Sequence, residues 1–553
     1  MAELHAWDWA VLLLYLAGMF GMSFWLGRRQ KTVGDYFLGG NRTGPLPIAL
    51  STTATQCSTN SLLGAPAFVA FSGGLLWLQY ELAVPLAMAV LLLFIMPVFR
   101  GLNLISVYSY LEKRFGLRTR TALSVLFQFL RAFSTGVTVY ALALVLQHLL
   151  GLSFLGAVVL VGVFTVIYDF LGGIRAVIYS DVIQLTVLLA SILIGIYLAV
   201  EATGGWGAMW AALEPDVVRT VDWRAHGLGD GSTYSFWPML LGGLFLYVSY
   251  YGCDQTQIQR ELSSRSVDHS RMSLLIGGLV RFPLVFAYCL LGVAMAAYLV
   301  VDPGFTDQLY RLERSASGME TVRDNNLLVP AFVASFFPVG LTGLFMAGLL
   351  AAAMSSLDST INSLSALTLQ DVVERYRKEP LSEKAAYWAA KGLTLFWGAV
   401  CIGFAFTVAD ISDTVIESVN KIGSLINGPL LAVFLLGMFT RKSHESGVLI
   451  GLSAGFVTNL ALWKWVPEVS WLWWNVIGFG VTWAVGYVAS LLLPARHPAG
   501  SADSALYVDG ANPAVGHPGP FWLLAAGALV AYFCILLLFL NFFPQVVKGW
   551  VGG

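Results

Sequence analysis

Apolar stretches long enough to cross a membrane recur along almost the whole chain. A spanning helix needs roughly 20 apolar residues. Hydrophobic residues make up 57% and charged residues 11% of the sequence, against roughly 45–50% and 25% in soluble domains. Long continuous runs favour helices over a barrel. The sequence predicts an all-α membrane protein with about fourteen transmembrane helices, at residues 7–27, 45–71, 76–99, 122–150, 153–170, 176–200, 236–253, 272–300, 338–368, 387–409, 415–438, 446–465, 471–493 and 521–543.

The distribution of basic residues predicts the orientation of these helices. If the N-terminus lies outside, the inner loops hold roughly three times as many Arg and Lys residues as the outer loops, which satisfies the positive-inside rule. We therefore expect a multi-pass protein of the plasma (inner) membrane with both termini outside. The first apolar stretch has no small-residue cleavage site, so we interpret it as a helix and not as a removed signal peptide.

Two of the predicted spans are interrupted in a similar way. The second span has a run of Ser and Thr followed by Gly64 and Pro66, and the seventh has Gly252 and Asp254 in its middle. Because these spans are five helices apart, the second set enters the membrane from the opposite side. A five-plus-five inverted repeat follows, the LeuT-like arrangement in which broken helices bind ions and substrate near the midplane. The alternative for each span alone is an ordinary Gly/Pro kink.

This repeat divides the chain into three parts. We expect residues 1–44 to form a leading helix and an inner loop, and residues 45–440 to form the transport core. Within the core, the first repeat covers residues 45–200 and the second covers residues 236–440. Residues 441–553 provide three trailing helices, with a Pro- and Gly-rich flexible inner linker at 494–520.

The ninth predicted span carries a polar stripe in the run AGLLAAAMSSLDSTINS. One Asp near the bilayer centre costs roughly 2.5–3.5 kcal/mol, so the stripe must face a partner and not lipid. Hydroxyl and carbonyl oxygens suit an alkali cation, which favours a sodium site. The alternative is a small-residue packing seam whose hydroxyls bond back to the helix. The stripe comprises Ala352, Ser355, Ser359 and Asn362, flanked by Ser356 and Asp358.

Further charged residues lie at membrane depth, namely Asp181 and the three bases Arg131, Arg281 and Lys421. Asp181 is either an inner-end residue paired with a nearby base or, together with the polar stripe, part of a further cation or proton site. The Arg131 guanidinium could clamp a substrate carboxylate with two hydrogen bonds, or it could form a structural ion pair with Glu81 or Glu417. Arg281 lies close enough to the inner loop to extend its side chain to the membrane surface.

Four motifs together resemble the sodium:solute symporter family over about residues 1–465. They are DYFLGGNR (35–42), GGIRAVIYSDVIQ (172–184), YGCDQTQIQR (251–260) and AGLLAAAMSSLDSTINS (347–363), in the family's order and spacing. The resemblance implies a secondary active transporter and not an enzyme, with Na⁺ as the coupling ion and no other cofactor. Its partners are then a small solute, sodium and the lipid bilayer, without nucleic acid or an obligate protein partner.

The resemblance also implies positions for the binding sites. Asp358 stands where the sugar and sialic acid carriers have Ser or Thr, which leaves the sodium stoichiometry and the involvement of a proton open. The main sodium site comprises the carbonyls of Ala54, Cys57 and Ala352 and the hydroxyls of Ser355 and Ser356. A candidate second cation site comprises Asp181, Ser355, Asp358 and Ser359. The substrate-binding positions are Ser58, Ser61, Tyr80, Glu81, Arg131, Ser134, Tyr250 and Asn420.

The class of substrate follows from two subsets of these positions. Tyr80 and Glu81 resemble the hydroxyl-binding pair of the sugar carriers, whereas Ser58, Ser61 and Arg131 resemble the carboxylate grip of the sialic acid carriers. We therefore expect import of a small organic anion, with a sugar or polyol as the alternative. A membrane solute sensor without transport is the alternative from a different class, but such sensors carry kinase or receiver domains, which this sequence lacks.

Overall fold

The computed structural model describes residues 4–57, 59–315, 318–408, 415–494, 503–508 and 518–551. Short 3-10 and π-helical turns join several of the α-helices. The helices of the first half are α1 (Ala6–Gly27), α2 (Val33–Leu38), α3 (Pro45–Gln56), α4 (Thr59–Phe68), α5 (Leu78–Glu81), α6 (Ala83–Val90), α7 (Met96–Gly101), α8 (Tyr108–Arg114), α9 (Leu117–Leu150), α10 (Phe154–Ala202) and α11 (Trp206–Ala212). Those of the second half are α12 (Gly243–Cys253), α13 (Gln255–Leu262), α14 (Val267–Val301), α15 (Leu328–Phe336), α16 (Leu341–Leu367), α17 (Glu374–Tyr376), α18 (Glu383–Val408), α19 (Val415–Phe439), α20 (Glu445–Trp465), α21 (Trp473–Leu492) and α22 (Pro520–Val551).

Within the described ranges, 11 helical segments are long and apolar enough to cross a membrane. Each predicted apolar stretch coincides with helical residues, but some stretches share one continuous segment. The segment Ser61–Gly101 contains the end of the second stretch and all of the third, and α10 contains the fifth and the sixth. The number of crossings in a bilayer therefore stays a prediction.

A short β-hairpin departs from the predicted all-helical fold. Strands β1 (Tyr310–Ser315) and β2 (Gly318–Arg323) pair antiparallel in the polar stretch between α14 and α15. This hairpin was not predicted from the sequence, because the alternation of apolar and polar residues is limited to residues 310–313 and most of the stretch is polar.

Helix α10 changes direction at Gly173, where the two predicted spans meet. The backbone there has φ 54° and ψ −162°, a conformation that is essentially restricted to glycine. A Cβ atom at this position would lie 2.7 Å from both the ring and the carbonyl oxygen of Tyr36. Gly173, the second glycine of the GGIRAVIYSDVIQ motif, therefore allows both the change of direction and the close approach of α2.

Replacing Gly173 by Ala is expected to lower the free energy of unfolding by about 2–6 kcal/mol, because strained backbone and overpacking each cost about 1–3 kcal/mol. Thermal unfolding in detergent micelles measures the effect. Gly277→Ala in α14 is the matched control, since its Cβ would meet nothing within 4 Å. Equal unfolding temperatures for the two variants would contradict this account of the bend.

Two pairs of consecutive helices are broken where the sequence predicts interruptions. Between α3 and α4, Cys57 has non-helical φ −87° and ψ 68°. Between α12 and α13, Asp254 is extended (φ −82°, ψ 118°), and its carboxylate caps α13 by accepting a 2.7 Å hydrogen bond from the Thr256 N–H. At both breaks, backbone N–H and C=O groups lie outside the helical hydrogen-bond pattern. Within a membrane, such irregular backbone occurs only where it is buried in protein or lines a cavity, as at a binding site.

Helix α16 lies at the centre of the protein. Every residue from Phe345 to Leu367 is buried, and the helix packs against α1, α3, α9, α10, α13 and α18. The polar stripe thus faces other helices, as the cost of exposing Asp358 to lipid requires. This position brings the stripe next to both broken helix pairs.

Part of the linker predicted to be flexible is packed against the helices. Leu506 and Tyr507 are 1% and 2% exposed. The Tyr110 hydroxyl donates a 3.0 Å hydrogen bond to the Leu506 carbonyl, and the guanidinium groups of Arg114 and Arg441 lie over the Tyr507 ring. Residues 503–508 therefore form an ordered contact with α8 and with the end of α19, although their composition is typical of a flexible linker.

Candidate sodium and substrate sites

The predicted main sodium site lies where the end of α3 meets α16. The Cys57 N–H donates to the Ala54 carbonyl at 2.8 Å, and the Ser356 hydroxyl lies 3.4 Å from the Thr55 carbonyl. On α16, the Ser355 hydroxyl donates to the Ala352 carbonyl at 3.2 Å. All of these residues are buried, and the neighbouring Gln56, at the edge of the break, is half-buried.

This arrangement supplies several hard oxygen donors within a small volume. Each Ser hydroxyl uses its hydrogen on a carbonyl, as the packing alternative predicts, yet keeps oxygen lone pairs that can coordinate a cation. Carbonyl and hydroxyl oxygens are chemically suited to an alkali ion. The donor set therefore fits sodium, and the hydrogen bonds within α16 hold the donors in place.

The candidate second cation site contains a guanidinium group of the protein itself. Arg260 of α13 is 0% exposed, and its Nη2 atom lies 3.0 Å from Asp181 Oδ2. It also donates to the Ser359 hydroxyl and, through Nε at 2.6 Å, to the Ser51 hydroxyl. Arg260 lies outside the predicted spans, between 236–253 and 272–300, whereas the structure buries it. Asp181 therefore has Arg260 as its ionic partner.

Asp358, also in this cluster, has only hydroxyl groups as hydrogen-bond donors within the described residues. Tyr168 donates to Oδ2, Ser359 donates to Oδ1 at 3.0 Å, and Ser180 lies 3.5 Å from Oδ2. Its side chain is fully buried. The structure thus brings Asp181, Asp358 and Ser359 together around Arg260, and a buried carboxylate without a cation of its own remains in the cluster.

A cavity of roughly 520 Å³ lies beside the predicted main sodium site, between the broken helices. Its volume is in the range of small-molecule sites, which is about 300–1,000 Å³. Ser356 contributes to its wall, so the cavity and the predicted sodium site are contiguous. Ser58 and the Asn420 side chain lie outside the described residues. The other predicted substrate positions all line the cavity: Ser61, Tyr80, Glu81, Arg131, Ser134 and Tyr250.

One charged pair in the cavity joins α9 to the break between α12 and α13. Arg131 Nη1 lies 3.6 Å from Asp254 Oδ2, and Nη2 lies 3.1 Å from the Thr256 hydroxyl. The guanidinium also lies over the Tyr250 ring, 5.5 Å from its centroid. Asp254 is therefore the partner of Arg131, in place of the predicted Glu81; Glu417 lies among the side chains that are not described. The Arg131 Nε atom is buried and has no hydrogen-bond acceptor among the described groups.

A second charged pair joins α14 to α5. Arg281 is 6% exposed and does not extend to the membrane surface; its Nε atom lies 3.0 Å from Glu81 Oε2. The Tyr247 hydroxyl donates to Glu81 Oε1 at 3.0 Å. The sequence analysis did not assign Arg281, Tyr247 or Asp254 to the pocket. The four-residue recurrence of aromatic residues in α12 was the available signal for Tyr247.

Long apolar helices, two broken helix pairs and a polar cavity beside an oxygen-rich cluster define a multi-span membrane transporter. The family model of the sodium:solute symporter family matches residues 36–455. The chain belongs to this family, and its relatives are sodium-coupled transporters and not enzymes.

Comparisons with individual proteins agree with this assignment. The chain is 31% identical to a putative sodium-dependent multivitamin transporter of Drosophila melanogaster, over 84% of this chain and 75% of that protein. It is also 31% identical to sodium-coupled monocarboxylate transporter 1 of Xenopus laevis, over 82% and 71% of the two chains. The solved structure of a Na⁺-coupled sialic acid symporter in a substrate-bound outward-open state matches with a TM-score of 0.79, at 23% identity over 89% of this chain and 99% of that one. This last similarity establishes the fold.

Proposed function

We propose that the protein imports a small organic anion, such as a carboxylate, together with sodium. The observation that carries the proposal is that Arg131, in the cavity, has hydrogen-bond donors left unused. Its ion pair with Asp254 is long, at 3.6 Å, and its Nε atom has no acceptor among the described groups, so the guanidinium retains donors for a substrate carboxylate. Relatives are named for monocarboxylates, iodide and sialic acid, all of which are anions.

In this proposal the sodium ion stabilises the outward-open state before the substrate binds. The five oxygens are those of Ala54, Cys57, Ala352, Ser355 and Ser356. Substrate binding then closes the outer gate, and the inverted repeats (45–200 and 236–440) rock to release both cargoes inward, with both termini outside. Inward movement of one sodium supplies about 2.3 kcal/mol per 100 mV. Residues 1–44 and 441–553 flank this core without contributing ligands.

The cluster around Arg260 is proposed as an additional cation site. Asp181, Ser355, Asp358 and Ser359 would supply its oxygens, with Arg260 compensating one of the two carboxylates. A monovalent cation would compensate the other carboxylate, because an unpaired buried charge is costly.

A sugar or polyol is the second candidate substrate. The carboxylate of Glu81 and the hydroxyl groups of Tyr80 and Tyr247 line one wall of the cavity, next to Trp77. Carboxylate and hydroxyl groups beside an aromatic ring are suited to binding sugar hydroxyls. This wall and the Arg131–Asp254 pair share no residue, so the two candidates depend on different residues.

Uptake into proteoliposomes tests the proposal. Vesicles containing the full chain are supplied with labelled carboxylates, sugars and amino acids, under an inward sodium gradient or an equal potassium gradient. We expect carboxylate uptake only with sodium. Sodium-driven uptake of sugars alone would favour the second candidate, and equal uptake with both cations would reject the sodium site.

A further inference from the structure

Arg281 contacts both the cavity wall and the side chain of Cys57, at the break between α3 and α4. Its Nε and Nη2 atoms lie 3.0 Å and 3.4 Å from the two carboxylate oxygens of Glu81. Its Nη1 atom lies 3.4 Å from the Cys57 sulfur. Arg281 and Glu81 are almost completely buried, and Cys57 is 0% exposed.

The shape of a guanidinium makes this double contact rigid. The group is planar, so two nitrogens fixed on one carboxylate also fix the position of the third nitrogen. The third nitrogen of Arg281 faces Cys57 at the break between α3 and α4, where the backbone lacks the support of a continuous helix. The Cys57 carbonyl is one of the proposed sodium ligands. A displacement of Arg281 would therefore shift Cys57, the residue that carries this carbonyl, although Arg281 itself does not contact the ion.

We infer that Arg281 is a positioning residue of the sodium site, and that it transmits the occupancy of the cavity at Glu81 to the backbone carbonyl of Cys57. This inference rests on the proposed function, because it assumes that sodium binds at the break. An occupant that forms a hydrogen bond with Glu81 weakens its bonds to Arg281 and so changes the affinity for sodium. By reciprocity, sodium changes the affinity of the cavity for its occupant by the same factor.

The first test uses sodium alone, so that the identity of the solute does not matter. The unfolding temperature of the full chain in detergent is measured over a series of NaCl concentrations, with KCl keeping the ionic strength constant. A ligand that binds the folded state raises the unfolding temperature in a saturable way. We expect Arg281→Gln to raise the half-saturating sodium concentration by about tenfold, a shift of about 1.4 kcal/mol in binding.

The matched control is Arg271→Gln. Arg271 lies on the same helix, is also 6% exposed and also contacts a carboxylate, that of Asp268, but it lies near the start of α14 and does not line the cavity. We expect it to lower the unfolding temperature in KCl without changing the half-saturating sodium concentration. If Arg281→Gln gives this same pattern, then Arg281 is merely structural and the inference is overturned.

Two further variants keep the test informative if Arg281→Gln does not fold. Arg281→Lys keeps the charge for Glu81, but a single ammonium cannot hold both partners, so we expect a smaller loss of unfolding temperature in KCl than for Arg281→Gln, together with weakened sodium binding. Cys57→Ala removes the sulfur contact and keeps the carbonyl. We expect it to weaken sodium binding, with an effect that does not add to that of Arg281→Lys, because both remove one contact. Fully additive effects would overturn the inference.

The behaviour of the unchanged protein separates this inference from the proposed function. If NaCl and KCl give the same unfolding temperatures, then the sodium site itself is absent and both are rejected. If sodium stabilises the protein specifically but all three variants bind it normally, then the inference alone is rejected.

Discussion

Replacing Ser355 and Ser356 together by alanine is expected to abolish sodium-dependent uptake in a protein that still folds. A hydroxyl that contacts a charged group contributes about 1.5 kcal/mol to binding. The loss of both hydroxyls therefore weakens sodium binding by about 3 kcal/mol, which lowers the affinity for sodium more than a hundredfold. Folding is retained because alanine has the highest helix propensity and the two hydroxyls donate mainly to backbone carbonyls. Uptake is measured in proteoliposomes against sodium concentration.

The same helix offers a matched control pair for this double variant. Ser363 and Ser365 are as completely buried, and each hydroxyl also donates to a carbonyl of α16, at 3.0 Å and 2.6 Å. They lie about two turns further along α16 than Ser355 and Ser356. Alanine at both positions should therefore leave the sodium dependence unchanged. If the variant at 355 and 356 retained sodium-driven uptake, the assignment of the main site would be wrong.

The second large effect is expected at Arg131. Arg131→Leu should lower the uptake of carboxylates by about a hundredfold, since removing one member of a buried hydrogen-bonded charge pair costs about 2–5 kcal/mol. The uptake of a neutral sugar, if the protein accepts one, should change little. Competition by unlabelled acids and sugars against a labelled substrate compares the two classes in one measurement.

This variant also leaves Asp254 without its partner, which could disturb the helix break by itself. Combining Arg131→Leu with Asp254→Asn removes both charges and keeps the hydrogen bond acceptor that caps α13. If the uptake of carboxylates returns in the double variant, then Arg131 serves only to neutralise Asp254. An equal loss for acids and sugars in both variants would also assign a structural role to Arg131.

Local sequence carries the information for the helices and their interruptions. The apolar runs, the glycine pair before Asp181 and the breaks at Cys57 and Asp254 all depend on residues within a few positions of each other. The polar stripe of α16 was also predictable, because a single Asp in an apolar helix requires a partner in the protein.

The partners of the buried arginines could not be predicted in the same way. The sequence places Arg260 outside the predicted spans and Arg281 near the start of one, and at both positions a long side chain could extend to the membrane surface. Their actual partners, Asp181 and Glu81, are on other helices and are brought close only by tertiary packing. The same applies to Arg131, whose partner Asp254 lies at the break between α12 and α13, far away in the sequence.

The pairing of charges in the cavity bears on which step of the transport cycle responds to voltage. The charged residues that line it within the described part of the chain are two arginines and two acids: Glu81, Arg131, Asp254 and Arg281. These charges cancel, so the empty cavity adds no net charge when it changes sides, and over a complete cycle the charge moved equals that of the cargo. A monovalent anion with one sodium crosses silently and is indifferent to voltage, whereas a sugar with one sodium carries one positive charge and is driven by about 2.3 kcal/mol per 100 mV.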